Sequence, residues 1–118
     1  MQYTTKHSGK KERFKDGADR EVKVGRPRFD LIPPHAMLRI ANLFARGAEI
    51  YGDRNWEKGL PFSSIQQSKM RHIEAHRRGE TDEDHLAAEV WNALVMMEFE
   101  CLGRKDLDDL PKYTCETK

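Results

Sequence analysis

The segment from Thr81 to Gly103 constrains the fold most, because apolar residues recur at helical spacing on almost every side of it. The main stripe is Leu86, Val90, Leu94, Met97 and Cys101, and Trp91, Val95 and Leu102 widen it. Spacings of three and four residues predict an α-helix with this stripe buried. Thr81, three residues before Asp84, resembles the capping box that begins a helix, and Gly103 is a typical end. Such a helix needs more than two packing neighbours.

Two further helices are predicted before this one. The first runs from Pro34 to Tyr51, because proline fits the first helical turn and a glycine follows the last residue. The second begins near Ser63 or Ser64, either of which can cap it, and ends at Arg78. The apolar stripe of the first helix is Met37, Ile40, Ala41, Phe44, Ala48 and Tyr51. The predicted fold class is all-α, with three main helices in a small bundle that homo-oligomerisation, most simply as a homodimer, completes.

Charge is distributed unevenly along the chain. Residues 1–28 hold nine lysines and arginines against four acidic residues, although the whole chain carries a net charge of only +1. This basic start is poor in apolar periodicity and is expected to be flexible, with a short extended segment after Glu21. It can contact phosphates or simply be solvated, and the low net charge argues against nucleic acid as a partner. The predicted parts are a basic flexible arm over residues 1–25, a helical domain over residues 26–103, and a short helical turn near 106–110 with a frayed tail within residues 104–118.

Composition excludes several classes of protein. The chain is 37% hydrophobic and 35% charged, and its mean hydropathy is −0.86. No apolar run approaches the roughly 18 to 20 residues that span a membrane, and none follows the basic start as in a secretory signal. Cys101 and Cys115 provide neither a disulfide framework nor a metal-binding pair. Phosphate loops of the GxxxxGK(S/T) type and nucleophile motifs of the GxSxG type do not occur. We expect a reduced, cytoplasmic protein.

The second predicted helix carries four candidate ligand-binding residues. His72 and His76 are four residues apart and therefore share a helix face, where they can hold a metal ion or be solvated. Arg71 and Arg78 are candidates for binding phosphate, because the guanidinium group matches phosphate oxygens in geometry. A polar, solvated helix face is the simpler interpretation.

The third predicted helix carries a second polar group. Asp84 precedes it, and His85, Glu89 and Asn92 follow on a common stripe. Asn92 stands among apolar residues, where an unpaired amide is costly, so it either fixes a helix interface or contacts a ligand. Carboxylates on facing helices are natural ligands of Mg²⁺, which makes Glu89 the residue of most interest.

The loop after the first helix contains the remaining candidates. Arg54 and Trp56 can form a charged and stacking clamp for a nucleobase and its phosphates. Alternatively, Trp56 covers the core while Asp53 and Asn55 stabilise turns.

Taken together, these residues resemble a known family. Over residues 26–100 the chain is similar to bacteriophage proteins described as dATP/dGTP diphosphohydrolase, N-terminal domain, which are related to the all-α NTP pyrophosphatases. The motifs that carry the resemblance are Arg28–Pro34, Gly47-Ala48, Tyr51–Trp56, Arg71-His72, Gly79-Glu80, Asp84–Ala88 and Asn92–Leu94.

The resemblance implies a helical, dimeric protein that converts dATP or dGTP to the monophosphate and pyrophosphate with Mg²⁺. Glu89 and Asn92 match the E-x-x-D metal ligands of the all-α pyrophosphatases, with Asn in place of Asp. Glu89 is then the catalytic residue, and Asp84 is a further candidate metal ligand. The remaining candidates for substrate binding are Arg54, Trp56, Arg71, His72, His76, Arg78 and His85, together with Asn92.

One departure from that pattern keeps other functions open. The pyrophosphatases carry E-E-x-x-E on the preceding helix, where this chain has Gln67, Ser68 and Arg71. Loss of three carboxylates suits a protein that binds a nucleotide without a metal cofactor and does not cleave it, for example one that sequesters a host cyclic nucleotide immune signal. A helical interaction module is the third hypothesis.

Overall fold

The computed structural model describes residues 11–15, 17–21 and 25–115. Two compact units, Met1–Pro33 and Pro34–Lys118, are distinguished by their internal contacts. In the first unit, strand β1 (Lys11–Arg13) pairs antiparallel with strand β2 (Asp19–Glu21), and a 3₁₀ turn spans Phe29–Leu31.

This hairpin differs from the sequence expectation. Residues 1–20 were expected to lack regular structure, yet Lys11 pairs with Glu21 and Arg13 with Asp19. The turn that joins the strands contains Gly17, whose φ of 87° is readily adopted only by glycine. Residues 1–10, 16 and 22–24 of the predicted arm lie outside the described part of the chain.

The described residues of the second unit form three α-helices, which confirms the predicted all-α class. Helix α1 spans Pro34–Tyr51, with the predicted bounds. Helix α2 spans Phe62–Arg77, and helix α3 spans His85–Cys101. Short 3₁₀ turns occupy Asn55–Lys58 and Lys105–Leu107. No helix in the described residues has the length and apolar character to cross a membrane.

The core lies mainly between α2 and α3. Phe62 and Ile65 of α2 pack against Val95 and Phe99 of α3, and all four side chains are buried. Helix α1 contributes no fully buried residue. Its Phe44 is half-buried and belongs to a layer of partly buried side chains around this cluster. The layer comprises Phe44, Trp56, Leu60, Trp91, Met96, Leu107 and Leu110.

The prediction of which apolar face of α3 is buried is wrong. Leu86, Val90, Leu94, Met97 and Cys101 are all exposed, with Met97 61% accessible. The helix instead buries Asn92, Val95 and Phe99 against α2, together with His85 and Ala87. Because this helix is apolar on most sides, spacing alone does not identify the side that packs. The predicted stripe of α1 is also incompletely buried, since Met37 and Tyr51 are 47% and 68% exposed.

The helix caps also differ from the sequence expectation. Asp84, not Thr81, caps α3, and its side chain accepts a hydrogen bond from the backbone N–H of Ala87 at 3.2 Å. Neither Ser63 nor Ser64 caps α2. The carboxylate of Asp109 does so from the C-terminal segment, accepting from the backbone N–H of Ser63 at 2.8 Å.

Part of the C-terminal segment packs against the core, a contact that the sequence does not predict. Its helical turn lies at Lys105–Leu107, earlier than predicted, and Leu107 and Leu110 pack against the core. Gly59 allows this approach, because a Cβ atom there would lie 3.1 Å from Leu107. Residues 111–115 have no regular structure.

Candidate functional site

An aromatic cleft of about 290 Å³ lies between the end of α1, the following loop and α3. Its aromatic walls are Phe44 and Tyr51 of α1, Trp56 of the loop and Trp91 of α3. The ring centroids of Phe44 and Trp91 are 5.6 Å apart. Its volume is at the small end for ligand pockets, about 300 to 1,000 Å³, and so suits one flat portion of a ligand. The other lining residues are Gly47, Ala48, Gly52, Asp53, Arg54 and Asn55.

The loop at this cleft has an unusual backbone. Arg54 adopts a left-handed conformation with φ of 56°, the one non-glycine residue with positive φ in the described chain. Such a conformation costs free energy in a residue with a side chain and often marks a functional loop. The Arg54 side chain is exposed and lies 3.5 Å from Glu57. It therefore provides a positive charge at the rim of the aromatic cleft.

A polar cleft of about 220 Å³ adjoins the aromatic cleft. Ser68 and His72 of α2 and Asn92 of α3 provide its polar groups, and Leu43, Ala88 and Trp91 complete the lining. Trp91 lines both clefts, so the two are neighbours on the same wall of α3. One cleft therefore offers aromatic surface and the next offers hydrogen-bonding groups.

The buried amide of Asn92 is only partly satisfied. Its Nδ2 donates to the carbonyl of Ala88 at 2.8 Å and lies 3.5 Å from the hydroxyl of Ser68. Within the described residues, no group donates a hydrogen bond to its Oδ1. A buried acceptor without a donor is costly, and in native proteins such an atom usually meets water or a ligand. Asn92 is 5% exposed.

A chain of hydrogen bonds extends from the polar cleft through two buried histidines. Nδ1 of His72 lies 2.8 Å from Nδ1 of His85, and Nε2 of His85 lies 2.8 Å from Asp82. Nε2 of His72 lies 3.2 Å from the guanidinium of Arg71. Arg71 can only donate and the ionised Asp82 can only accept. Two neutral rings satisfy every contact when His72 donates through Nδ1 and His85 donates through Nε2.

Electrostatics agrees with neutral His72. Burial lowers the pKa of His72, and the nearby positive charge of Arg71 lowers it further. The hydrogen bond from His85 lowers the pKa of Asp82, which keeps that carboxylate ionised. At neutral pH His72 is therefore an uncharged hydrogen-bonding group at the wall of the polar cleft.

The structure brings some of the predicted residues together and leaves others apart. Arg54 and Trp56 line the aromatic cleft, His72 and Asn92 line the polar cleft, and His85 lies behind His72. His76 is exposed, and Arg78 forms an ion pair with Glu80. Both ring nitrogens of His72 have other partners, so the predicted pairing with His76 gains no support from this arrangement.

The predicted metal ligands differ in their surroundings. Both carboxylate oxygens of Asp84 accept from the guanidinium of Arg39, at 2.7 and 2.9 Å, and this pairing lowers the pKa of Asp84. Asp84 thus has a structural role at the start of α3. Glu89 is half-buried, one helical turn before Asn92, and makes no ion pair within the described residues. Their service as metal ligands remains a prediction.

Sequence reasoning did not identify several residues of this region. Tyr51 and Trp91 were assigned to helix packing, although both line the aromatic cleft. Asp82 and Glu83 were not among the candidates, although Asp82 contacts His85. The sequence feature that could have identified them is their position directly before a helix that begins with histidine.

The fold and the site define a class of protein: an all-helical domain with an aromatic cleft beside a polar cleft. A family model described as dATP/dGTP diphosphohydrolase, N-terminal, matches residues 16–110. The chain belongs to this family. No curated protein and no solved structure gives a significant match to the chain.

Proposed function

We propose that this protein binds a purine deoxynucleoside triphosphate across the aromatic and polar clefts and hydrolyses it to the monophosphate and pyrophosphate. The observation that carries the proposal is the position of Trp91, which lines both clefts. A ligand with a flat base at one end and phosphates at the other matches this division. The family description, which names dATP and dGTP, supports the substrate class.

In this proposal the aromatic cleft holds the base. Stacking on an aromatic ring contributes about 1 to 3 kcal/mol per base and is available to every base. Tyr51 is 68% exposed, so its ring is accessible to a ligand. Arg54 at the rim provides a charge that can contact the sugar or a phosphate.

The polar cleft and its border hold the phosphates. Arg71 is exposed and makes no ion pair within the described residues, so phosphate binding does not require an existing pair to break. The hydroxyl of Ser68 can donate to a phosphate oxygen, and Oδ1 of Asn92 can accept from bound water. Neutral His72 adds no repulsion toward a metal ion held by the same phosphates.

Mg²⁺ is the metal that the proposal requires, and the available oxygen donors suit one ion. Oδ1 of Asn92 has no donor within the described residues, and Glu89 lies one turn away on α3. Mg²⁺ commonly takes one or two carboxylates together with substrate phosphates and water. When bound, it supplies Lewis-acid polarisation and a more acidic water molecule. Glu89 and Asn92 would hold it, and Arg71 would orient the triphosphate.

Turnover of dGTP and dATP with Mg²⁺, followed by chromatography, tests this proposal. Glu89→Gln is expected to lower turnover at least 100-fold while the helix content measured by circular dichroism is unchanged. Glu98→Gln is the matched control, because Glu98 is an exposed glutamate on the same helix. Equal rates in the two variants would remove Glu89 from the mechanism.

A second function, nucleotide binding without cleavage, is favoured by a separate observation. The residues that line the polar cleft, all of them described, include no carboxylate, and the guanidinium of Arg71 lies 3.2 Å from Nε2 of His72, which lines that cleft. Direct contact between cations and phosphates requires no metal. This function predicts that a cyclic nucleotide or another nucleotide-derived signal binds in the presence of EDTA and is recovered intact.

The proposal includes a homodimer. Leu86, Val90, Leu94 and Met97 form an exposed apolar face on α3, each more than a third accessible. In a two-fold symmetric dimer this face would pack against its own copy. Packing there would give α3, which is apolar on most sides, the additional packing partner that it needs.

A further inference from the structure

A second group of possible metal ligands lies beside the polar cleft. One ring nitrogen of His72, one ring nitrogen of His85 and one carboxylate oxygen of Glu83 all lie within 4.8 Å of one another. The group is separate from Glu89 and Asn92, on which the proposed function depends for Mg²⁺. Both histidines are buried, at 6% and 4% exposure, whereas Glu83 is exposed at the surface.

We propose that His72, His85 and Glu83 bind one divalent transition-metal ion of the zinc type. Imidazole nitrogens favour Zn²⁺ and similar ions over Mg²⁺, which prefers oxygen. Two histidines and one glutamate form a known donor set for zinc sites that keep a fourth position open. Water or a phosphate oxygen can take that fourth position.

The arrangement of the two imidazole rings favours a shared metal ion. Nδ1 of His72 and Nδ1 of His85 face each other at 2.8 Å. Two nitrogens bound to one tetrahedral zinc ion at about 2.05 Å would lie about 3.3 Å apart. The rings therefore need to separate by about 0.5 Å, and to rotate until both lone pairs point at one ion, for the ion to bind between them.

The hydrogen-bond partner of His85 also favours metal binding. Its Nε2 lies 2.8 Å from the carboxylate of Asp82, to which it donates. This contact fixes the proton on Nε2 and leaves the lone pair of Nδ1 directed toward His72. A carboxylate that orients a ligating histidine in this way is the usual outer partner of a metal site.

His72 can reach the tautomer that metal binding requires. Its Nδ1 carries the proton that bonds to His85 when no ion is bound, and Nε2 then faces Arg71. Metal binding at Nδ1 requires the other neutral tautomer, with the proton on Nε2. The guanidinium of Arg71 must then move away, and its exposed position on α2 permits that movement.

Metal titration of the full chain after removal of bound ions tests the proposal. Isothermal titration calorimetry with Zn²⁺ is expected to give one site per chain. His72→Gln and His85→Gln are each expected to weaken that binding at least 100-fold, and Glu83→Gln at least tenfold. His76→Gln is the matched control, because His76 lies one turn from His72 on the same helix but is exposed.

Cobalt provides the second readout. Co²⁺ bound by two nitrogens and a carboxylate is expected to give the intense visible absorption of a four-coordinate ion. Weak absorption that resembles the hydrated ion, with zinc binding no tighter than in His72→Gln, would mean adventitious surface binding only and would overturn the proposal. Binding that persists in both histidine variants, or that disappears in His76→Gln, would also overturn it.

Two variants keep the test interpretable. If either histidine variant fails to fold, as measured by circular dichroism, Glu83→Gln still applies, since Glu83 is exposed. Glu89→Gln separates this site from the proposed Mg²⁺ site. Zinc affinity unchanged in Glu89→Gln is the expected result, and loss of zinc binding in that variant would assign the ion to the other site.

Discussion

Nδ1 of His72 and Nδ1 of His85 lie 2.8 Å apart, although the two residues are thirteen positions apart and on different helices. The short segment between α2 and α3 makes this contact possible, and Gly79 allows its turn with φ of 78°. Arg71 at one end of this chain of hydrogen bonds can only donate, and Asp82 at the other end can only accept. Each group therefore donates to the next, from Arg71 through His72 and His85 to Asp82. His72 is thereby held in a defined orientation at the wall of the polar cleft.

Base stacking in the aromatic cleft predicts a specific loss of affinity. Tyr51→Ala should weaken dGTP binding by a factor between about 5 and 150, which corresponds to the roughly 1 to 3 kcal/mol of one stacked base. Stability should change little because Tyr51 is exposed. Tyr113→Ala is the control, because Tyr113 is 88% exposed and lines neither cleft. Equal affinities of the two variants, measured by calorimetry, would place the base elsewhere.

Phosphate binding by Arg71 predicts an effect that depends on the ligand. Arg71→Gln should weaken dGTP binding by about 1.5 to 3 kcal/mol, the contribution of a hydrogen bond to a charged group. Binding of deoxyguanosine, which lacks phosphates, should be unchanged. Arg77→Gln on the same helix is the control, because Arg77 pairs with Glu74. An equal loss for nucleoside and triphosphate would show that Arg71 acts on the fold instead.

Capping of α2 by Asp109 predicts a pH-dependent stability. Hydrogen bonds from Ser63 lower the pKa of Asp109 in the folded protein. Its contribution is therefore present above the unfolded carboxyl pKa of about 3.9 and is lost as the pH falls through the folded pKa. Asp109→Ala should lower the urea midpoint at pH 7, with a smaller difference from wild type near pH 3.

Glu100→Ala provides the control for this pH effect. Glu100 is exposed and makes no ion pair within the described residues. Its variant should match the wild-type urea midpoint at both pH values. A difference between Asp109→Ala and wild type that stays constant with pH would contradict a role for the ionised carboxylate.

The exposed face of α3 predicts dimerisation through that helix. Leu94→Glu should convert a dimer to a monomer in size-exclusion chromatography with light scattering, because a charge would be buried without a partner. Glu98→Gln on the same helix should leave the dimer intact. A monomeric wild-type chain at micromolar concentration would refute the proposed dimer.

Local sequence signals were sufficient to predict that the chain forms three main α-helices. Proline at the start and glycine after the end of α1 set its bounds, and these need no information from distant residues. The buried side of α3 was not predictable in the same way. Apolar residues surround that helix, and packing against α2 selects the side that carries Asn92.

Contacts between distant residues account for most of the remaining differences. Asp109 caps α2 from 46 positions away, so no local pattern near Ser63 could indicate it. Individual site residues such as Trp56, His72 and Asn92 were predicted from their chemical type. Their division between two adjoining clefts depends on Trp91, whose double role exists only in the folded arrangement.

Phosphorus NMR of dGTP incubated with the protein and Mg²⁺ is the most direct test of the proposed function. We expect the triphosphate signals to be replaced by those of dGMP and pyrophosphate in equal amounts, and EDTA to prevent the change. Unchanged triphosphate signals, with or without tight binding, would contradict hydrolysis. Formation of dGDP and inorganic phosphate would contradict the proposed position of cleavage.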